Sequence, residues 1–138
     1  MNVLFVCKHN RFRSKVAEAL FRHYYKGEIV KTKSAGLIGD VMHPYIPRNV
    51  MLVLKGKGIS VRDDGAKRID DFILKWADKI VIVADNVSPD MFRGKVFIAG
   101  KPVIFWDISD VSENDVRGIT IRVNEIEKRV IEMIKELK

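Results

Sequence analysis

The chain has 138 residues, of which 47% are hydrophobic and 31% charged, a composition typical of one globular domain (residues 1–138) and not of a disordered chain. Its apolar runs are far shorter than the roughly 18 to 20 residues that cross a bilayer, and its one cysteine excludes an internal disulfide and an all-cysteine metal site. The net charge of +7 favours an acidic partner, although the lysines are scattered and form no basic block.

The first half of the chain alternates strand patterns with helical patterns. The run NVLFV is β-branched and aromatic, as expected of a buried strand. Ser14 is a favourable N-cap, and apolar residues follow it at helical spacing as far as Gly27, which predicts the first helix. The elements predicted here are a strand at 2–6, a helix at 14–27, a strand at 29–35, a loop at 37–47 and a helix at 47–57.

The second half continues this alternation after an irregular stretch. One apolar stripe runs from Ile119 to Leu137 over about five turns and predicts a long final helix. The run PVIFW at 102–106 is compatible with either a strand or a loop. The other predicted elements are an irregular segment at 59–71 with a turn near Ala66, a brief helix at 71–79, a strand at 80–84, a turn at 88–89 and a strand at 96–99.

Helices that alternate with short apolar strands predict an α/β domain with a parallel sheet. In such a sheet, ligands bind at the carboxyl ends of the strands. Cys7 lies where the first predicted strand ends and the first predicted helix is about to begin. The lone cysteine therefore occupies the position expected of a functional site.

The loop between this strand and this helix combines Cys7 with a basic cluster. Five residues separate Cys7 from Arg13-Ser14. The loop amides and the positive end of the helix dipole can hold an anion, and Arg13 can grip two of its oxygens. The same donors stabilise a thiolate, and the Ser14 hydroxyl can point to the sulfur as well as cap the helix. Asn10 tolerates left-handed backbone geometry and can hold the loop by hydrogen bonds.

The alternative interpretation is that Cys7 is a buried structural residue, since cysteine is among the most buried residue types. The Arg13-Ser14 pair at this one offset, at a strand-to-helix junction, favours a nucleophile instead.

The stretch FVCKHNRFRSKVAEAL at 5–20 resembles the signature of the low-molecular-weight protein tyrosine phosphatases and of the arsenate reductases that share their fold. The resemblance continues in order over nearly the whole chain. Further matching segments are Ser34-Ala35-Gly36, GKGI at 56–59, WADKIVIVADN at 76–86 and WDISDV at 106–111. It implies a three-layer sandwich, the phosphotyrosine phosphatase I-like fold, in which a four-stranded parallel sheet carries helices on both faces.

The resemblance also implies catalytic roles. Cys7 would attack phosphorus and form a cysteinyl-phosphate, while Arg13 and the loop amides hold the oxygens and Ser14 assists the thiolate. The general acid for the leaving oxygen matches Asp110, with Asp107 as the second candidate. For either aspartate the alternative is a structural role in a turn or an N-cap. The implied phosphate-binding and supporting residues are Lys8, His9, Asn10, Arg11, Phe12 and Ser14.

Three departures from the family pattern bear on function. Phe12 stands where relatives often carry a second cysteine, so the protective disulfide is missing. Val111 follows Asp110 where a proline is usual, which weakens the expectation of tyrosine specificity. Arg11 replaces a small or apolar residue and adds positive charge at the rim of the loop.

The three histidines are isolated in sequence and show no metal-ligand spacing with Cys7, so we expect no metal and no cofactor. His9 either contacts substrate or tunes the charge of the rim. His43 is a candidate for the pocket wall, and His23 is expected at the surface.

These observations favour a metal-independent phosphomonoesterase that acts on phosphotyrosine in proteins or on small aryl phosphates. The alternatives are an arsenate reductase that uses an external thiol and a phosphate- or phosphopeptide-binding regulator with little catalysis. Phosphate and arsenate are the oxyanions expected at the loop. We expect no nucleic-acid partner, since acidic residues interleave the basic ones of the last helix, and no membrane partner. The N-terminus shows no signal-peptide pattern, which favours the cytoplasm.

Overall fold

The computed structural model describes residues 1–38, 42–92 and 100–137. Within these ranges, strands and helices alternate along the chain as predicted. The elements are β1 (Asn2–Cys7), α1 (Arg13–Tyr24), β2 (Lys31–Gly36), α2 (Arg48–Gly56), α3 (Asp71–Trp76), β3 (Lys79–Ala84), β4 (Val103–Ile108) and α4 (Val116–Glu136), with a 3-10 helix at Pro89–Phe92. The sequence of residues 102–106 was compatible with either a strand or a loop, and most of these residues belong to strand β4.

The four strands form one parallel sheet in the order β2-β1-β3-β4. Alternate side chains of β1 enter two different cores: Val3 and Phe5 pack with residues of α1, α2 and α4, whereas Leu4 and Val6 pack with Leu74 of α3. Both faces of the sheet are thus covered, as expected of a parallel sheet with continuous apolar strands. The predicted α/β fold, with a four-stranded parallel sheet and helices on both faces, is confirmed.

Helix α4 covers the sheet with the apolar stripe that its sequence predicts. Its residues Ile119, Val123, Ile126 and Val130 are fully buried. Burial of such side chains stabilises the fold by about 1.5–3 kcal/mol each relative to exposure. Asp115 caps this helix, because its carboxylate accepts a hydrogen bond from the Gly118 amide at 2.9 Å.

Helix α1 differs from its prediction at both ends. It begins at Arg13, its N-cap position is Phe12 without a side-chain hydrogen bond, and it ends at Tyr24, before Gly27. The prediction that Ser14 is the N-cap was therefore wrong. The Ser14 hydroxyl is engaged by Cys7 and Asn10 instead, so it does not satisfy the first amides of the helix.

Two predictions fall on parts of the chain that are not described. The predicted strand at 96–99 lies within 93–99, and the predicted loop at 37–47 includes 39–41; both ranges are outside the described residues. Within the described ranges, no helix combines the length and the apolarity that a membrane crossing requires.

Candidate active site

The carboxyl edge of the sheet gathers polar residues from three strands. β1 ends at Cys7, Asp85 and Asn86 follow β3, and Asp110 follows β4. In the order β2-β1-β3-β4, the winding of the chain reverses between β1 and β3, and a crevice is expected outside their carboxyl ends. The loop of residues 8–12, here called the nucleophile loop, follows Cys7 at this edge and leads into α1.

Gly36, the last residue of β2, lets the nucleophile loop approach the sheet closely. A β-carbon on Gly36 would lie 2.7 Å from the carbonyl carbon of His9 and 2.8 Å from the backbone nitrogen of Asn10. The chain beyond Gly36 also holds the loop, since the Ile38 amide donates to the Lys8 carbonyl at 2.8 Å. Because the atoms nearest to this β-carbon belong to the backbone, no flexible side chain could move aside to make room for it.

We expect Gly36→Ala to displace the nucleophile loop and lower both stability and turnover. The added methyl group meets backbone atoms, and overpacking of this kind costs about 1–3 kcal/mol. Urea unfolding and the kcat for an aryl phosphate measure the two effects. Gly56→Ala is the matched control, because a β-carbon there meets no atom within 4 Å. A Gly36→Ala variant with the stability and kcat of the control would contradict this role.

Cys7 is buried, and its sulfur has two hydrogen-bond partners. The Ser14 hydroxyl lies 2.9 Å from the sulfur, and the backbone amide of Asn10 donates to it at 3.3 Å. Hydrogen bonds from such donors stabilise a thiolate over a thiol.

Asn10 holds the loop from a left-handed conformation, with φ of 58°, and is fully buried. Its side-chain nitrogen donates to the hydroxyl of Ser14 at 2.8 Å and to that of Ser34 at 3.0 Å. Its side-chain oxygen accepts from the backbone amide of Lys67 at 2.9 Å. Asparagine tolerates this backbone geometry, and all three bonds tie the loop to neighbouring segments.

These contacts leave the Ser14 proton available to a Cys7 thiolate, which can only accept. The Lys67 amide can only donate, so the oxygen of the Asn10 carboxamide faces it and the nitrogen faces the two serines. The Ser14 oxygen then accepts from Asn10, and its own proton is left for the sulfur. Ser14 is thereby oriented as a donor to the Cys7 thiolate.

Arg13 is buried, lines the same pocket as Cys7 and is held by residues at the ends of β3 and β4. Its guanidinium donates to the Ile108 carbonyl at 2.9 Å and to the side-chain oxygen of Asn86 at 3.1 Å, and it lies 3.5 Å from a carboxylate oxygen of Asp85. A planar guanidinium held in this way presents a rigid set of donors suited to a phosphate-like anion. Sequence reasoning did not assign Asp85 or Asn86 to the site, although a polar pair directly after a buried strand is a signal for it.

The two candidate acids occupy different environments. Asp110 lines the pocket next to Cys7, its side chain is 57% exposed, and one of its carboxylate oxygens lies 4.0 Å from the Arg13 guanidinium. Asp107 instead lies within β4 in a left-handed conformation, with φ of 54°, and is outside the described lining of the pocket. The geometry favours Asp110 as the group that meets a leaving oxygen.

The pocket itself has a volume of about 110 Å³ and opens beside the nucleophile loop. Its polar lining consists of Cys7, His9, Arg11, Arg13, Asp110 and Glu113, and its apolar lining of Phe12, Pro47, Val50, Val111 and Ile119. An anion-binding end thus adjoins an apolar wall.

Arg11 and Glu113 stand together in this lining. The guanidinium of Arg11 lies 3.5 Å from a carboxylate oxygen of Glu113 and donates to the Tyr45 carbonyl at 3.0 Å. The backbone carbonyl of Glu113 in turn accepts from Asn49 of α2 at 2.8 Å. This pair joins the nucleophile loop to the segment that carries Asp110, and sequence reasoning did not identify Glu113.

The remaining predicted residues take varied positions. His9 lines the pocket, and its Nδ1 is buried without a hydrogen-bond partner among the described residues. Phe12 lines the pocket and also packs against the hydrophobic core. Lys8 is partly buried outside the described lining, and His23 and His43 are exposed. Among the described residues, no group of three or more potential metal-ligating side chains lies together.

Comparison with known proteins places this site in a family. The family described as "Low molecular weight phosphotyrosine protein phosphatase" matches residues 2–138. An arsenate reductase of Brevibacillus brevis is 34% identical over 90 residues, which cover 63% of each chain, so this chain spans less than two thirds of that relative's length.

Solved structures agree with the fold described above. A low molecular weight protein tyrosine phosphatase from T. tengcongensis is 26% identical, with a TM-score of 0.87 over 99% of both chains. The YwlE arginine phosphatase from Geobacillus stearothermophilus is 22% identical, with a TM-score of 0.85 over 99% of this chain and 92% of that one, and is similar in fold. The chain belongs to the low molecular weight phosphotyrosine protein phosphatase family.

Proposed function

We propose that the protein is a metal-independent phosphomonoesterase that hydrolyses aryl phosphates, including phosphotyrosine in proteins, through a cysteinyl-phosphate on Cys7. The observation that carries this proposal is the sulfur of Cys7, which accepts a hydrogen bond from the Asn10 amide, lies 2.9 Å from the Ser14 hydroxyl and lines one pocket with the buried Arg13. This arrangement stabilises a thiolate and an oxyanion in the same pocket.

The first step forms the covalent intermediate. The Cys7 thiolate attacks phosphorus, the bond between phosphorus and the ester oxygen breaks, and Asp110 gives its proton to that oxygen. Arg13 and the amides of the nucleophile loop hold the three non-bridging oxygens. The product alcohol or phenol leaves, and the phosphoryl group stays on the sulfur.

The second step returns the enzyme to its starting state. The Asp110 carboxylate takes a proton from a water molecule, the resulting oxygen attacks phosphorus, and the bond between sulfur and phosphorus breaks. Phosphate and the Cys7 thiolate result, and Asp110 is again protonated. The donors at Cys7 stabilise the thiolate as a leaving group.

The apolar wall supports an aryl substrate. Phe12, Pro47 and Val111 adjoin the anion-binding end of the pocket, so a planar ring bonded to the phosphate can lie against them. A thiolate nucleophile also requires reducing conditions, which supports a cytoplasmic location.

A substrate panel tests the proposal. We expect turnover of para-nitrophenyl phosphate and of a phosphotyrosine peptide, and much slower turnover of alkyl phosphates. A peptide with N-phosphorylated arginine belongs in the panel, since the YwlE relative is an arginine phosphatase; its preferential hydrolysis would replace the aryl assignment. Tight phosphate binding without turnover of any substrate would indicate a binding regulator instead.

Arsenate reduction is the second candidate, and it is favoured by the 34% sequence identity to the Brevibacillus arsenate reductase over 90 residues. The Cys7 thiolate would displace water from protonated arsenate and form a sulfur–arsenic bond. An external thiol would attack the sulfur, which gives a mixed disulfide and releases arsenite as arsenic(V) takes up two electrons. A second external thiol would free Cys7 and form the external disulfide. Arsenate-dependent oxidation of a small thiol or of a glutaredoxin-like protein measures this activity, and its absence would reject the candidate.

A further inference from the structure

Lys15 is a buried cation directly after the site residue Ser14. Its side chain is only 1% exposed and lies in the first turn of α1. The positive end of the helix dipole disfavours a cation at this position, and a buried charge needs a partner. That partner is Asp64, whose carboxylate oxygen lies 2.7 Å from the Lys15 ammonium.

The second carboxylate oxygen of Asp64 holds Lys67, whose ammonium lies 2.8 Å away. The backbone of Lys67 in turn contacts both the nucleophile loop and the end of β2. Its amide donates to the side-chain oxygen of Asn10 at 2.9 Å, and its carbonyl accepts from the Gly36 amide at 2.7 Å. Asp64 therefore ties the start of α1 to the segment that orients Asn10.

We propose that Asp64 is a positioning residue for the nucleophile: through Lys67 it orients the Asn10 carboxamide, and this leaves the Ser14 proton directed at the Cys7 sulfur. Asp64 lies outside the described lining of the pocket, so it acts through these residues and not on substrate. The inference rests on the proposed function in that Cys7 is the nucleophile.

The charge state of Asp64 suits this role. Burial raises the pKa of Asp64, but hydrogen bonds from Lys15 and Lys67 outweigh that effect and hold the pKa below its ordinary value. The carboxylate therefore stays ionised at the pH values at which a thiolate reacts. Asp64 therefore stays ion-paired with Lys15 and Lys67 over that pH range.

A purely electrostatic effect of Asp64 on Cys7 would have the opposite sign. Removal of the carboxylate charge leaves two nearby cations uncompensated and would favour the thiolate, so alkylation of Cys7 would begin at lower pH. Loss of positioning removes a donor from the thiolate, so alkylation would begin at higher pH. The ammonium of Lys67 is exposed and screened by solvent, whereas that of Lys15 is buried. We expect the loss of the donor to exceed the effect of Lys15, and the double variant below isolates that loss because it removes the Lys15 charge as well.

The experiment measures the alkylation rate of Cys7 by iodoacetamide against pH in the full chain, together with kcat for para-nitrophenyl phosphate and the thermal unfolding midpoint. We expect Asp64→Asn to move the midpoint of the alkylation profile upward by about one pH unit and to lower kcat about tenfold. Asp64→Glu should restore most of the wild-type alkylation midpoint and most of the wild-type kcat. Glu127→Gln, which breaks the ion pair of Glu127 in α4 with Lys57 directly after α2, is the control and should change neither the alkylation midpoint nor kcat.

A double variant separates positioning from stability. Lys15→Met/Asp64→Leu removes the buried ammonium together with its partner and leaves only the exposed ammonium of Lys67 unpaired, so it should unfold close to the wild-type temperature. Positioning predicts that its alkylation midpoint still lies above the wild-type value, because Lys67 remains unanchored. A wild-type or lower midpoint in this variant or in Asp64→Asn would overturn the proposal. Alkylation needs no turnover, so a protein inactive on every phosphate would reject the proposed function and still decide the role of Asp64.

Discussion

Cys7→Ser should lose turnover of para-nitrophenyl phosphate by about 10⁴-fold or more while it keeps its affinity for inorganic phosphate. The serine hydroxyl is a far weaker nucleophile than a thiolate held by Ser14 and the Asn10 amide. The oxyanion cradle stays intact, and the loss of a negative charge next to it should leave phosphate affinity equal or higher. Steady-state kinetics and phosphate titration by calorimetry measure the two properties.

Arg13→Lys is the matched comparison for this variant. It keeps the charge but loses the planar grip and the bonds to Ile108 and Asn86, so both turnover and phosphate affinity should fall. Appreciable turnover by Cys7→Ser would show that the nucleophile is another group or a water molecule.

Asp110→Asn should lower kcat/KM about 10²- to 10⁴-fold for phosphate esters with poor leaving groups. An amide cannot give its proton to the leaving oxygen, although it has nearly the same shape and can still accept from the Val111 amide. para-Nitrophenolate leaves without a proton, so kcat/KM for its ester should fall far less. A series of aryl phosphates with graded phenol acidity measures this dependence.

Asp107→Asn is the matched control, because asparagine tolerates the left-handed backbone that Asp107 adopts. It should leave the dependence on the leaving group unchanged. An equal effect of both substitutions, or a steeper dependence only in Asp107→Asn, would reassign the general acid.

The nucleophile loop was predictable because its chemistry is local. The spacing of Cys7 and Arg13 and their place between an apolar strand and a helical pattern are visible in one short stretch. The topology of the sheet follows from the alternation of elements, since parallel strands need crossover helices.

Other features depend on contacts that no short stretch reveals. Ser14 looks like an N-cap, but Asn10 and Cys7 compete for its hydroxyl, and the helix starts one residue earlier. Asp107 extends β4 in a left-handed conformation that its sequence neighbours do not indicate.

Lys15 illustrates the same limit. A lysine in a helix is almost always exposed, and only the approach of Asp64 from an irregular segment allows its burial. The pairing of Arg11 with Glu113 is likewise a long-range contact that follows from the packing of α2 and α4 around the pocket.

The central claim is a phosphoryl group on Cys7, and rapid acid quench of Asp110→Asn during turnover of para-nitrophenyl phosphate tests it most directly. This variant should still form the intermediate with a good leaving group but hydrolyse it slowly, because no carboxylate takes a proton from water. Mass spectrometry of the quenched protein should find one phosphoryl group per chain, on the peptide that contains Cys7. The reaction should begin with a burst that releases about one nitrophenolate per chain. Turnover with no such adduct, or with the adduct on another residue, would contradict this mechanism.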